Sequence, residues 1–419
     1  MQKLTPVLDD FPFDTVTAEA EIRQEYLESE YYPAMRKQAN NGKFEELIDA
    51  LYLKKIGAWG EGRSGAVAED FISLMKKRAK YTGRMVDGKL RPMSYFLGDL
   101  SVTHFPPDLS IVYQISGSGI TSGVVSKAMG CLSLGIKMMS LSYNHNSPLV
   151  RCSDCYIHIP QKIDTNNSKF KEDFVLRQVK GKHAPIDVMG NSFETAAYIT
   201  SGGNVEGIVD YHETEDISSA SKECVKYIKN CVDYIKHLNN KLPSMKLQLT
   251  KLGEGLSTVP HIRMASSGDG AASLKMAMSR LAHTGRDGFS RSIDFISSDN
   301  FGPPGYADIQ KDDGIVISSG SLQSSHTIAI GREATNIGAK LYLITSELSE
   351  DRLSQFLNKY KIKEPDVTLV LPFSTPRNEK RFYDLGVRHV LEYLAAATAA
   401  YLGLSSEDME RFHIQKELQ

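Results

Sequence analysis

The sequence predicts an α/β protein that carries a parallel sheet, covered by helices on both faces, twice over. Two observations lead to that expectation. Buried-strand runs alternate with helix-period segments along the 419-residue chain, the order that yields parallel strands with helical crossovers. A strand that ends in a Ser-Gly-Ser loop and turns straight into a helix occurs twice, at Ser116 and at Ser319. A chain of this length also exceeds what one hydrophobic core usually serves.

Residues 15–50 open the chain with helical spacing, in which Ile22, Tyr26, Tyr31, Met35, Phe44, Leu47 and Ile48 recur every three to four positions. Lys55–Gly60 reads as a strand and Ser64–Lys80 as a helix. Ser110–Ile115 is a second strand, followed by a helix over Ser122–Leu134. Lys137–Ser142 and Cys155–Pro160 complete the strands of the first half. A helix from Phe193 and a longer one over Ser219–Leu238 close it.

The stretch Asn239–Val259 is the expected linker, after which the order repeats. A strand at Pro260–Ala265 leads through Ser267-Gly268-Asp269-Gly270 into a helix ending at Gly285. A strand at Gly314–Ser318 leads through Ser319-Gly320-Ser321 into a helix over Ser324–Ile337. Strands at Lys340–Thr345 and Asp366–Pro372 follow, then an alanine-rich helix over Arg388–Leu402. Gly62 precedes Ser116 by nearly the interval at which Gly268 precedes Ser319, which marks an internal duplication of a whole domain. The expected boundaries are an N-terminal helical arm at 1–45, a first domain at 46–238, a linker at 239–258 and a second domain at 259–419.

Composition narrows the function classes. A formal net charge of -2 without a basic stripe argues against a nucleic-acid surface. Acids and prolines stand at the N-terminus where a signal peptide needs an apolar core. No run approaches the roughly 18 apolar residues of a membrane span. Five cysteines form no framework, which fits a reducing compartment, so a cytoplasmic protein without membrane contact is expected. Cys152 and Cys155 form a CxxC, but a zinc site needs two further ligands at sensible spacing and none follows. No metal and no cofactor is expected.

The segment Ile111–Thr121, IVYQISGSGIT, carries the chemistry. Small residues bring the backbone close to a ligand, and the loop sets amide donors and three hydroxyls at a helix N-terminus, an arrangement suited to an anion. It is neither a P-loop nor a dinucleotide fingerprint, for the lysine of one and the glycine spacing of the other are missing. The plainer reading is a capped strand-to-helix turn.

With Gly60-Glu61-Gly62-Arg63-Ser64-Gly65, Ser116–Thr121, Ser142–Leu149 and Met189–Ala196, the first half resembles the sugar isomerase (SIS) family, most closely the 6-phospho-3-hexuloisomerases. The second half is similar but eroded: Asp269-Gly270 stand where Arg63-Ser64 stood, and Leu322 replaces the second glycine of the loop. The resemblance implies two tandem SIS domains, each a five-stranded parallel sheet in a flavodoxin-like three-layer α/β/α sandwich, paired within the chain as a pseudo-dimer that a homodimer could extend. It implies a phosphorylated sugar as ligand and isomerisation through an enediolate, on a hexose or hexulose 6-phosphate such as 3-hexulose 6-phosphate. Phosphoglucose/phosphomannose isomerase activity, or a non-catalytic sugar-phosphate-binding regulator, are the alternatives.

Carried over by residue, the resemblance makes Glu194 the general base and His413, in a tail like that of the hexuloisomerases, the acid/base. Gly62, Arg63, Ser64, Ser116, Gly117, Ser118 and Thr121 become substrate-binding residues. Ser319, Ser321, Ser324 and Asp384 mark a candidate second site. His145 and His183 are read as structural, and 161–182 as a surface loop.

Overall fold

The computed structural model describes residues 10–78, 84–86, 89–91, 94–98, 105–106, 108–161, 191–266, 270–284, 292–296, 309–347, 352–372 and 379–404. These fall into two compact units, one within 23–233 and one that takes 234–404 together with residues 10–22. His413, His183, Gly268, Asp269, the segment 162–182 and the hexuloisomerase-like tail beyond Leu404 lie outside the described residues.

In the first unit β1 (Ile56–Trp59) is followed by the helix Gly62–Lys77 and the short hairpin β2 (Arg84–Val86) and β3 (Lys89–Arg91). Then come β4 (Ser94–Phe96), β5 (Ile111–Ile115), β6 (Lys137–Ser142) and β7 (Cys155–His158). The sheet order is β4-β1-β5-β6-β7, and every pairing in it is parallel. A strand covered on both faces is buried at every position, as IVYQI is at all five, apolar apart from Gln114 and the Tyr113 hydroxyl. One face packs on the helices Gly62–Lys77 and Asn191–Thr214, where Phe71 and Tyr113 stack and Asn204 donates to the Tyr113 hydroxyl at 3.0 Å. The other face carries Val112 and Met138 against Val124, Ala128 and Cys131 of the helix Ser122–Ser133.

The second unit repeats this plan with β8 (His261–Ala265), β9 (Ser292–Ile296), β10 (Gly314–Ser318), β11 (Lys340–Ser346) and β12 (Val367–Leu371). Its order is β12-β11-β10-β8-β9, again all parallel. In each sheet the second strand lies outside the first, and the third, fourth and fifth follow on the other side. The α/β architecture with two five-stranded parallel sheets is therefore as the sequence predicts.

The strands that the sequence hid are β4 and β9, each at the edge of its sheet. β4 has three residues, and β9 carries a charge, Asp294, in its middle. Edge strands are often short and charged because exposed pairing groups invite association, and that weakens their apolar signature. The segment expected to link the two halves is helical, with one helix ending at Lys241 and another spanning Lys246–Thr258. The closing helix begins at Glu379 rather than Arg388. No helix of the described residues is long and apolar enough to cross a membrane.

A small device recurs in both sheets. Asp154, before β7, accepts from the Met138 amide at 2.8 Å and donates its own amide to the Met138 carbonyl. Asp366, before β12, does the same with Leu341 at 2.7 Å. The clamp explains the CxxC segment as a strand entry: Cys155 is buried, and burial pushes its thiol up to about 12. Asp154→Ala should cost about 1 kcal/mol, the net value of one such hydrogen bond, read as a lower urea midpoint with unchanged slope.

Candidate functional site

In an open parallel sheet, ligands bind beyond the carboxyl ends of the strands where the strand order reverses. In the first unit that point lies between β1 and β5, where the Gly60–Gly62 turn and the Ser116–Thr121 loop meet. The turn is tight. A Cβ on Gly60 would lie 2.5 Å from the Ser64 carbonyl oxygen, and one on Gly65 would lie 2.8 Å from the Gly60 oxygen. Gly62 has a φ of +54°, a left-handed value that glycine takes without strain. This geometry sets Arg63 and Ser64 on the first turn of the helix Gly62–Lys77, both buried.

Glu194 reaches the same place from the helix Asn191–Thr214 and is 8% exposed. Its Oε1 accepts from the Ser64 hydroxyl at 3.3 Å, and its Oε2 lies 3.6 Å from an Arg63 guanidinium nitrogen. The preceding residue, Phe193, packs on Gly117: a Cβ there would stand 3.1 Å from the Phe193 ring and 2.9 Å from Tyr143. The carboxylate and the Ser-Gly loop are thus fixed to one another.

The loop is held from below. Ser116 Oγ accepts from the Gly119 amide at 3.2 Å, and Ser118 Oγ accepts from the Ile120 amide at 3.4 Å. Both hydroxyl hydrogens remain available as donors, since a hydroxyl can donate and accept together. Thr121 stands at the N-cap with no side-chain capping bond. Its carbonyl accepts from the Val125 amide. The amides of Ser122, Gly123 and Val124 precede that first helical bond and are the natural donors to an anion. Gly119 has a φ of +64°, and a Cβ there would collide with Ser147 Oγ.

Sequence reasoning assigned no role to the clamp that closes this loop from β6. Ser142 Oγ donates to the Gly117 carbonyl at 2.9 Å. The Asn144 amide donates to the Ser118 carbonyl at 3.1 Å and its oxygen accepts from Asn146. The signal was present in Ser142-Tyr143-Asn144, but only the paired strands bring it within reach of Ser118. His145 lies beside the clamp, stacked on His158 with ring centroids 3.7 Å apart and bonded to the Tyr156 hydroxyl. Gln38 holds the His158 backbone through both its amide and carbonyl.

The second unit keeps the scaffold and changes the contents. Leu322 donates its amide to Ser319 Oγ at 3.2 Å, as Gly119 does to Ser116. Gly320 lies under Tyr383, as Gly117 lies under Phe193. Asp384, next in sequence, is 2% exposed. Its Oδ1 would stand 2.9 Å from a Cβ on Gly270, at a helix start that offers no side chain where Ser64 meets Glu194. Ser324 caps the helix Ser325–Ile337 by accepting from Thr327, and Ser321 is exposed. Leu322 holds a φ of +54° with its side chain in the core beside Ile317, Ile330 and Leu343.

No family model matches the chain. A protein of Aeropyrum pernix described as uncharacterized is 29% identical over 156 residues, which are 37% of this chain and 66% of that one. The match therefore spans just under two thirds of the relative's length. The C-terminal domain of glucosamine-fructose-6-phosphate aminotransferase from Francisella tularensis superposes with a TM-score of 0.64 at 13% identity, covering 93% of this chain and 96% of that one. Tagatose-6-phosphate ketose/aldose isomerase from Escherichia coli gives 0.57 at 12% identity, covering 97% of both. The chain shares their fold. At these identities the likeness establishes architecture, and the chemistry has to come from the site.

Three outcomes test this description. Gly119→Ala should cost more than about 1 kcal/mol, because alanine is strained at positive φ and its methyl meets Ser147. Leu322→Gly relieves a left-handed strain of about 1–2 kcal/mol but removes a buried side chain whose loss costs about 2–5 kcal/mol. Burial wins, so the unfolding midpoint should fall despite the relaxed backbone. Burial, then His145, pulls the His158 imidazole down from 6.5 to about 4. Between those values the unfolded chain binds more protons, so stability is held above pH 6.5 and lost as pH falls toward 4. His158→Gln should flatten that slope in pH-dependent thermal unfolding.

Proposed function

We propose that the first unit binds a phosphorylated sugar at the junction of β1 and β5 and isomerises it through an enediolate. One observation carries this reading: Glu194, a buried carboxylate, is held between Ser64 and Arg63 beside a Ser/Gly loop that leads into a helix start without a side-chain cap from Thr121. The phosphoryl group would take the hydroxyls of Ser116 and Ser118 and the amides of the helix start. Its binding energy would place the reacting carbons over Glu194.

The proton steps then balance. Glu194 takes the proton from the carbon beside the carbonyl, and the electron pair moves onto the carbonyl oxygen as the enediolate forms. Arg63 donates to that oxygen, where its fixed fork suits developing negative charge. Glu194 returns the proton to the former carbonyl carbon while the proton of the neighbouring hydroxyl passes to the former carbonyl oxygen, leaving an isomer of the starting sugar. Ser64 orients the carboxylate throughout. The isomerases of similar fold support a sugar-phosphate ligand, and the resemblance to the hexuloisomerases favours a hexose or hexulose 6-phosphate.

The Arg63–Glu194 pair also favours a second reading, because a carboxylate held by a guanidinium is a weaker base. A chain that binds sugar phosphates without turning them over would keep the same contacts. Incubation with a panel of hexose and hexulose 6-phosphates in heavy water separates the two. The isomerase incorporates deuterium beside the carbonyl, and Glu194→Gln lowers that rate by about 10²-fold or more while ligand affinity is kept. Tight binding without exchange in the unaltered protein would leave only the binding role.

A further inference from the structure

Three successive carbonyls of the Ser116–Thr121 loop are tied to the segment that runs from β6 into the helix Pro148–Cys152. Gly117 accepts from the Ser142 hydroxyl at 2.9 Å and from the Tyr143 amide at 3.1 Å. Ser118 accepts from the Asn144 side chain at 3.1 Å. Gly119 accepts from the Leu149 amide at 3.2 Å. A trans peptide is planar, so its C=O and N–H point opposite ways. Turning these carbonyls toward β6 therefore turns the amides of Ser118, Gly119 and Ile120 away from it. The last two reach the Ser116 and Ser118 hydroxyls. A hydroxyl oxygen that accepts from the loop's own amide keeps its proton for a ligand.

The backbone amides of Tyr143 and Leu149 hold the peptides on either side, whereas the Ser118–Gly119 peptide depends on a side chain. It is also the easiest to reverse. Reversal changes Ser118 ψ and Gly119 φ together, and Gly119 stands at +64°, where glycine is as much at home as at negative φ. The residue itself does not choose the plane. Ser116 Oγ does not choose it either, because a hydroxyl donates to a carbonyl as readily as it accepts from an amide. Asn144 does. Its Nδ2 can only donate, and its oxygen accepts from the Asn146 amide at 3.1 Å, which fixes which way the side-chain amide faces.

The second unit holds the corresponding peptide by other means. The register that pairs Ile115 with Leu141 pairs Ser318 with Ile344, so Glu347 stands in the place of Asn144. A carboxylate group lacks the amide's donor. There the left-handed residue is Leu322, whose side chain is packed in the core beside Ile317 and Ile330. Its burial holds the plane. A donor at residue 144 thus goes with a glycine at 119, and a buried leucine does without one.

We propose that Asn144 is a positioning residue for the phosphoryl end of the ligand: it fixes the Ser118–Gly119 peptide so that donors, and not a carbonyl, face the anion. This rests on the reading of the loop as the phosphate anchor. With the peptide reversed, the Ser118 oxygen turns to the ligand side and draws the Ser116 hydroxyl proton to itself. The loop then loses a donor and directs a lone pair at an anion that backbone N–H groups would otherwise hold.

The experiment uses the full chain and calorimetric titration with inorganic phosphate and fructose 6-phosphate at neutral pH. Asn144→Ala removes the donor. Asn144→Asp keeps the shape and the bond from Asn146 but puts an acceptor in the donor's place, and it serves should the first variant fail to fold. Each should bind both ligands about tenfold more weakly or worse, the scale of one hydrogen bond to a charged group. The factor should be alike for the two ligands, which share only the phosphoryl group. A crystal structure of either variant should show the Ser118–Gly119 peptide reversed and Gly119 at negative φ. Unchanged phosphate affinity in a folded variant, or weaker binding with the peptide in its original plane, would overturn the proposal. Absence of phosphate binding to the unaltered chain would instead overturn the anchor reading itself.

Discussion

A parallel sheet whose strand order reverses between its first and third strands sends the two following helices to opposite faces. The helix starts then flank one crevice at the carboxyl edge, and neither can be covered by the other. Everything proposed for this chain depends on that constraint. It brings Arg63 and Ser64 at one helix start within reach of a Ser/Gly loop at the next. It also opens the edge to a third helix, which delivers Glu194. The glycines at 60, 62 and 65 serve the same end, since any side chain at Gly60 or Gly65 would push strand and helix apart.

The two units show which parts of this arrangement belong to the fold and which to chemistry. Shared features are the sheet order, the aspartate clamp before the last strand, the aromatic ring on the loop glycine, and the serine that accepts from the fourth loop residue. These are scaffold. The units part at the atoms a ligand would meet. Ser64 faces Glu194, whereas Gly270 faces Asp384. Gly119 keeps its positive φ open to the surroundings of Ser147, whereas Leu322 keeps nearly the same φ and fills the core behind it. Retaining a strained left-handed leucine makes physical sense only because the burial it gains exceeds the strain.

Much of the fold was legible in the sequence, because buried parallel strands announce themselves as apolar runs and the Ser-Gly-Ser loop recurs with them. Two of the four edge strands, β4 and β9, were not, since Ser94–Phe96 is too short to set a period and Ser292–Ile296 carries a charge where an inner strand would be apolar. At the site, Arg63, Ser64 and Glu194 stood in recognisable patterns, and the geometry adds that they touch. The support from Asn144 was illegible for a different reason: its partner Ser118 lies on another strand, and only the register between β5 and β6 makes them neighbours.

The central claim is that the first unit's loop, and not its eroded counterpart, anchors the ligand. A crystal structure of the chain with a bound hexose 6-phosphate tests this most directly. The account predicts the phosphoryl group against Ser116, Ser118 and the amides of Ser122–Val124, with the sugar carbons beside Glu194. A phosphoryl group at the Ser319–Ser324 loop, or one remote from both loops, would contradict it.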